Sequence, residues 1–128
     1  TIKMPQMKSV IFPHNFSLKP KNFSILWWNG MIDLEPAYFN ELKSILKKYF
    51  RNEKILIYGS RAKGKAHHGS DIDIAVFGDS VISIEKLSFI DEEFSESDIP
   101  YTVDLVDAGR VDDSFRQVII KEGVPCKL

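Results

Sequence analysis

The sequence predicts an α/β domain of the α+β kind, with a small mixed β-sheet flanked by helices. Short apolar runs with β-branched members, Lys54-Ile-Leu-Ile-Tyr58, Asp71-Ile-Asp-Ile-Ala-Val-Phe77 and Tyr101-Thr-Val-Asp-Leu-Val106, have the length and patterning of strands. Around them, apolar residues recur at three- and four-residue steps, the spacing of one helix face. At 128 residues, with 44% hydrophobic and 27% charged content, the chain suits one compact domain with one core.

Each element has a local reason. Leu34, Tyr38, Leu42, Ile45, Leu46 and Tyr49 mark the first helix, and Pro36 falls in a first turn, where a missing N–H is tolerated. The strand 54–58 is ended by Gly59, and a short helix is expected after it. The strand 71–77 opens with strict polar/apolar alternation. Ile84, Leu87, Ile90 and Phe94 give the next helix, which must stop before Pro100, and the third strand follows over 101–106. Phe115, Val118 and Ile119 form a last helical face, with Gly123 at its C-terminal stop.

Composition divides the chain near Met31. Residues 1–30 are expected to form an irregular N-terminal extension and residues 31–128 the domain. The extension carries scattered prolines, an aromatic cluster at Phe23-Ser-Ile-Leu-Trp-Trp28, and Lys3, Lys8, Lys19 and Lys21 with no carboxylate. Trp27 and Trp28 fit either an accessory arm or a non-essential extension. With a net charge of −1 overall, the remainder is net-acidic, which argues against a long duplex DNA footprint. The single cysteine, Cys126, excludes an intramolecular disulfide and the Cys/His sets of zinc sites, so a reducing cytoplasm is the expected compartment. No apolar run approaches the ~20 residues needed to span a bilayer, and no membrane association is expected.

The chemistry is concentrated in Gly59-Ser60-Arg-Ala-Lys-Gly-Lys-Ala-His-His-Gly-Ser-Asp71-Ile-Asp73. Gly59 lets the backbone turn without a Cβ clash, so that N–H groups from Ser60 onward can face an anion. Ser60 adds a hydroxyl donor. Asp71 and Asp73 alternate on a strand, roughly 7 Å apart at Cα, with both carboxylates on one side while Ile72 and Ile74 face the core. Two carboxylates at about 4 Å repel by on the order of 4 kcal/mol at an effective dielectric near 20, and a divalent cation would reverse this. Hard oxygen ligands favour Mg²⁺ or Mn²⁺. Asp104, between Val103 and Leu105, points away from its neighbours and could reach the same metal from an adjacent strand. Three such carboxylates suit two-metal phosphoryl transfer.

The Gly-Ser, the ten-residue gap, the Asp-x-Asp and the later Val-Asp-Leu resemble the DNA polymerase β-type nucleotidyltransferase superfamily, and within it the minimal nucleotidyltransferase (MNT) branch. The likeness spans roughly Met31 to Leu128, and Gly59-Ser-Arg-Ala-x-Gly followed by Gly-Ser-Asp-Ile-Asp is far more specific than a bare Asp-x-Asp. It implies the polymerase β-like fold, with Gly59 and Ser60 on the β- and γ-phosphates of a nucleoside triphosphate, here ATP. It further implies Asp71 and Asp73 on two Mg²⁺ ions, and Asp104 completing one metal site beside the attacking hydroxyl. Minimal members are commonly encoded beside a HEPN-domain protein, so the resemblance implies an antitoxin that adds AMP to a tyrosine of a HEPN toxin.

Blander roles stand beside these. Arg61 is a candidate for phosphate contact or for pairing with a carboxylate, while Lys63 and Lys65 fit solvated loop residues. His67 and His68 are expected in solvent, and Ser70 as a cap or brace of the loop. Asp107 is expected to start a turn rather than bind metal, and Asp91-Glu-Glu93, Glu96 and Asp98 to form a solvated acidic face. Two other functions compete: a small-molecule or RNA-end nucleotidyltransferase whose acceptor site is completed by a partner or a homo-oligomer, and a non-catalytic antitoxin that neutralises by contact.

Overall fold

A computed structural model describes residues 32–66 and 69–128. Phe23 to Trp28, His67 and His68 lie outside the described residues, as does the expected extension 1–30. The elements run α1 (Pro36–Tyr49), β1 (Lys54–Tyr58), α2 (Ser60–Lys63), β2 (Ile72–Phe77), α3 (Ile84–Ser95), β3 (Val103–Asp107), α4 (Asp113–Glu122) and β4 (Val124–Pro125). The strands form one sheet in the order β3-β2-β1-β4, in which β1 runs antiparallel to β2 and β4 while β2 and β3 are parallel. This is the mixed sheet flanked by helices that the sequence predicts, with a short edge strand, β4, in addition.

Alternation on the strands sorts the sheet into two faces. Ile55, Ile57, Ile72, Ile74, Val76 and Val103 join Phe39, Leu42, Ile45 and Leu46 of α1 and Ile90 and Phe94 of α3 in the main core. Each such side chain contributes roughly 1.5–3 kcal/mol by leaving water. On the opposite face a smaller cluster of Leu56, Tyr58, Ala75 and Ile119 seats α4. That helix covers only part of its face.

Local chemistry sets the helix ends. Pro36 opens α1, and Lys47 and Lys48 sit in its last turn, where cations complement the helix dipole. Ser83 caps α3 by accepting from the Lys86 N–H at 3.1 Å, and Asp112 caps α4 by accepting from Phe115 N–H at 2.8 Å. Gly123 ends α4 for a steric reason, since its φ is −71° but a Cβ there would lie 2.6 Å from the Ile119 carbonyl oxygen and 2.9 Å from Leu56 Cδ1. Ile84, expected on an apolar helix face, is 66% exposed. It occupies the first turn of α3, which has not yet met the core. The acidic end of α3 also differs from expectation, because Glu93 accepts from Tyr49 Oη at 2.6 Å and pairs with Lys48, clipping α3 to α1.

Candidate active site

The candidate residues meet on the α4 face of the sheet, at the end where β1 stops and β2 begins. Register aligns Tyr58 with Asp73 across the antiparallel pair and Asp73 with Asp104 across the parallel pair. Paired residues project to the same face, so Tyr58, Asp73 and Asp104 form one row. Asp71, two residues before Asp73, is exposed at the mouth of β2, and Asp104 is exposed on β3, whereas Asp73 is half-buried between them.

Asp73 feels both of its acidic neighbours. Burial raises the Asp73 carboxyl above its ordinary range, and the negative charges of Asp104 and then Asp71 raise it further. The Tyr58 phenol is pushed up to about 12, first by burial and then by Asp73 and Asp104. Its ring packs edge-on against Phe115 of α4 at 5.9 Å, which walls one side of the row. Among the described residues, no three acidic, histidine or cysteine side chains are packed closely enough to enclose an ion by themselves. Hard carboxylate oxygens on one face have the donor chemistry that would suit Mg²⁺ or Mn²⁺ in an open site.

Gly59 joins this row to the turn that opens α2. Its backbone, at φ +77° and ψ −156°, lies in a region that essentially only glycine adopts, and α2 starts at the next residue. A Cβ there would collide with Asp73 Oδ2 and lie 3.3 Å from its Cγ. Gly59, and Ser60 directly after it, thereby turn beside Asp73 of the carboxylate row. The backbone closes behind them through Ala62 N–H to Gly59 O (3.1 Å) and Lys65 N–H to Ser60 O (3.0 Å).

Arg61 is placed differently from the phosphate contact or carboxylate pairing expected of it. Only 4% exposed, it donates from Nη2 (2.8 Å) and Nε (3.3 Å) to the Ser70 carbonyl and from Nη1 (2.8 Å) to the Asp33 carbonyl. Its guanidinium also lies over the Tyr101 ring, 4.0 Å from the centroid. The geometry makes it a brace within the protein, since all three nitrogens are turned to backbone oxygens and an aromatic face. Ser70 braces the loop as an acceptor through its carbonyl. Asp33 and Tyr101 carried no signal in the sequence, because each is defined by its contact with Arg61 rather than by any pattern of its own.

Asp107 forms the turn expected of it and adds a strap. Its Oδ1 accepts from Gly109 N–H at 2.9 Å and its Oδ2 from Ile82 N–H at 2.6 Å, with the Arg110 Nε 3.5 Å from Oδ2. It lies on the α3 side of β3, away from the row that Asp104 joins. Lys63 pairs with Glu122 of α4 at 3.0 Å, and Lys65 is exposed.

Comparison with known proteins agrees with this fold. A probable protein adenylyltransferase MntA of Haemophilus influenzae is 33% identical over 92 residues, covering 72% of this chain and 81% of the relative. A crystal structure of a toxin-antitoxin with AMP-PNP shares the fold at a TM-score of 0.61 and 24% identity, covering 70% of this chain and 72% of the other. A complex of a tri-AMPylated Shewanella oneidensis HEPN toxin with its MNT antitoxin does so at 0.58 and 21%, covering 73% and 72%. The model of the family described as polymerase beta, nucleotidyltransferase, matches residues 40–126, a span that runs from within α1 to beyond β4. With that span and a relative so similar, the chain belongs to the polymerase β nucleotidyltransferase family, and it is an enzyme of that class.

Proposed function

We propose that this nucleotidyltransferase moves AMP from ATP, with Mg²⁺, onto a tyrosine hydroxyl of a HEPN-domain toxin and so acts as its antitoxin. The observation that carries the reading is the in-register row of Asp73 and Asp104, with Asp71 at its mouth and the Gly59-Ser60 turn against it. The relatives support the choice of acceptor: the H. influenzae protein is a probable protein adenylyltransferase, and the S. oneidensis toxin is AMPylated in complex with an MNT protein.

In this reading the Ser60 hydroxyl and the amides of the turn hold the β- and γ-phosphates. Asp71 and Asp73 would hold two Mg²⁺ or Mn²⁺ ions, with Asp104 completing one site, and the ions would neutralise the triphosphate and the departing pyrophosphate. The acceptor oxygen attacks the α-phosphorus, the bond from that phosphorus to the bridging oxygen breaks, and pyrophosphate leaves in line. Asp104, exposed at the edge of the row, receives the acceptor's proton. Residues 31–128 form the working domain and residues 1–30 an accessory segment. A reducing cytoplasm is the proposed setting.

The test is to incubate the protein with α-labelled ATP, Mg²⁺ and a HEPN-domain protein from the same genome, in wild type and in Asp71→Asn and Asp73→Asn. Label is expected on a partner tyrosine with wild type only. Neutralisation of the partner that survives both substitutions, with no label transferred, would establish a contact antitoxin instead.

A further inference from the structure

We propose that Arg61 is a positioning residue for the transfer reaction, one whose buried guanidinium fixes the first metal carboxylate, Asp71, relative to the phosphate turn. This rests on the reading of the carboxylate row as a nucleotidyltransferase site.

The argument starts from Asp71 itself. Its side chain is exposed, so packing does not hold it, and it stands just before β2, outside the strand's own ladder. The peptide groups on either side of it are what is held. Ahead of it, the Ser70 carbonyl accepts from Arg61 Nη2 at 2.8 Å and Nε at 3.3 Å. Behind it, Ile72 N–H donates to the Thr102 carbonyl at 2.8 Å. Asp71 is therefore suspended between two backbone anchors, and Arg61 supplies one of them.

The other end of the brace is the phosphate turn. Arg61 directly follows Ser60 in α2, so its backbone moves with the turn, while its side chain reaches across the loop to residue 70. The same residue grips the chain entering α1 from both directions. Asp33 N–H donates to the Arg61 carbonyl at 2.6 Å, and Arg61 Nη1 donates to the Asp33 carbonyl at 2.8 Å. Beneath the guanidinium lies Tyr101, whose hydroxyl donates to the Glu35 carboxylate at 2.7 and 3.0 Å and whose ring meets Tyr38 edge-on at 6.0 Å. Residues 33, 35, 38, 61, 70 and 101 thus form one rigid frame behind the turn.

Arginine chemistry suits this frame. A buried cation is costly unless its donors are matched, and the planar fork presents parallel N–H groups to one carbonyl, another to a second carbonyl, and a flat face to the ring. A lysine ammonium keeps the charge but cannot hold both carbonyls and stack. Loss of partners that orient metal ligands typically costs about 10- to 100-fold in metal affinity or activity.

The test uses the full chain with Arg61→Lys and with Tyr101→Leu, which removes the stacking platform and leaves the guanidinium. Thermal melts define a temperature at which each variant is folded. There, Mn²⁺ affinity is measured by the spin-resonance signal of free Mn²⁺ in the presence of a non-hydrolysable ATP analogue, alongside transfer to the partner. Arg61→Lys is expected to weaken Mn²⁺ binding and lower kcat by about tenfold or more while folded, with Tyr101→Leu smaller in the same direction. Arg61 retained only for stability would lower the melting temperature and leave Mn²⁺ affinity and kcat of the folded variants at wild-type values, which overturns the proposal. If wild type binds no Mn²⁺ with the analogue, the site reading fails. If wild type binds Mn²⁺ but transfers nothing, the Mn²⁺ comparison alone decides the role of Arg61.

Discussion

Gly59 and Asp73 are fitted to each other so closely that the glycine's missing Cβ is the space occupied by Asp73 Oδ2. Tolerance of the turn for a left-handed φ is half of the requirement for glycine, and room for the carboxylate is the other half. The turn at Gly59 and the Asp73 carboxylate therefore cannot be altered independently.

Gly59→Ala should on this basis cost on the order of 1–3 kcal/mol in backbone strain alone and displace Asp73 as well. Ser60→Ala removes a single hydroxyl contact, at roughly 1 kcal/mol of nucleotide affinity. Melting curves and nucleotide titrations should rank Gly59→Ala below Ser60→Ala in both stability and affinity. The reverse order would mean that the turn does not carry phosphate.

The raised Asp73 carboxyl makes a signed statement about pH. Because the folded state holds this proton more tightly than the unfolded chain, its contribution to stability is present below the ordinary carboxylate range and is lost as pH rises through the raised value. In EDTA, Asp73→Asn should therefore match wild type at acid pH and melt at or above it at neutral pH, while transfer is nearly abolished. A neutral-pH melting temperature several degrees below wild type would show that the carboxylate is structural. Mg²⁺ with ATP should raise the wild-type melting temperature by mass action and do so far less in Asp73→Asn.

Asp104→Asn should separate chemistry from binding. A general base contributes about 10² to 10⁴ in rate, so turnover should fall by that range while nucleotide affinity changes only modestly. Single-turnover transfer at saturating ATP and Mg²⁺ is the deciding measurement, and a wild-type rate would reassign the residue.

Cys126 should report on the sheet edge. Its thiol is pushed up to about 12, chiefly by burial, and its N–H extends the pairing of β4 by donating to the Ile55 carbonyl at 2.8 Å. A thiol reagent at pH 8 should label it only as the protein unfolds in denaturant. Labelling within minutes under native conditions would show that the strand opens locally.

Deleting residues 1–30 should leave a folded domain that still binds metal and nucleotide, since every candidate site residue follows Met31 and Asp33 is retained for Arg61. A truncated chain that is insoluble, or that melts without cooperativity, would assign Phe23 to Trp28 to the core.

Periodic features were the ones legible in advance. The first helix follows from an apolar spacing that repeats several times within one element, and the strand 54–58 from an unbroken apolar run ended by Gly59. β4 was not legible, because Val124 and Pro125 are too few to show a period and their pairing is decided by Leu56 and Ile57 across the sheet. β3 starts at Val103 rather than Tyr101 because the tyrosine turns aside to Arg61 and Glu35. Alternation gave the facing of Asp73 and Asp104 but not their register, which depends on how two strands distant in sequence align. Arg61 read as a contact for phosphate or for a carboxylate. Its true neighbours, Asp33 and Ser70, are residues whose backbone oxygens carry no mark in the sequence.

Parallel strands need a crossover, and between β2 and β3 that crossover is α3. The turn at Gly59 and the carboxylates Asp71 and Asp73 belong to one contiguous antiparallel pair, whereas Asp104 is contributed by a strand that returns only after the helix. The candidate site is thus modular along the gene: one stretch carries Gly59, Ser60, Asp71 and Asp73, and a later one carries Asp104. Lengthening the chain between Phe77 and Ile82 would add little closure entropy, while the ladder between β2 and β3 would still hold Asp104 beside Asp73. A scaffold divided in this way can vary its crossover without rebuilding either half of the carboxylate row.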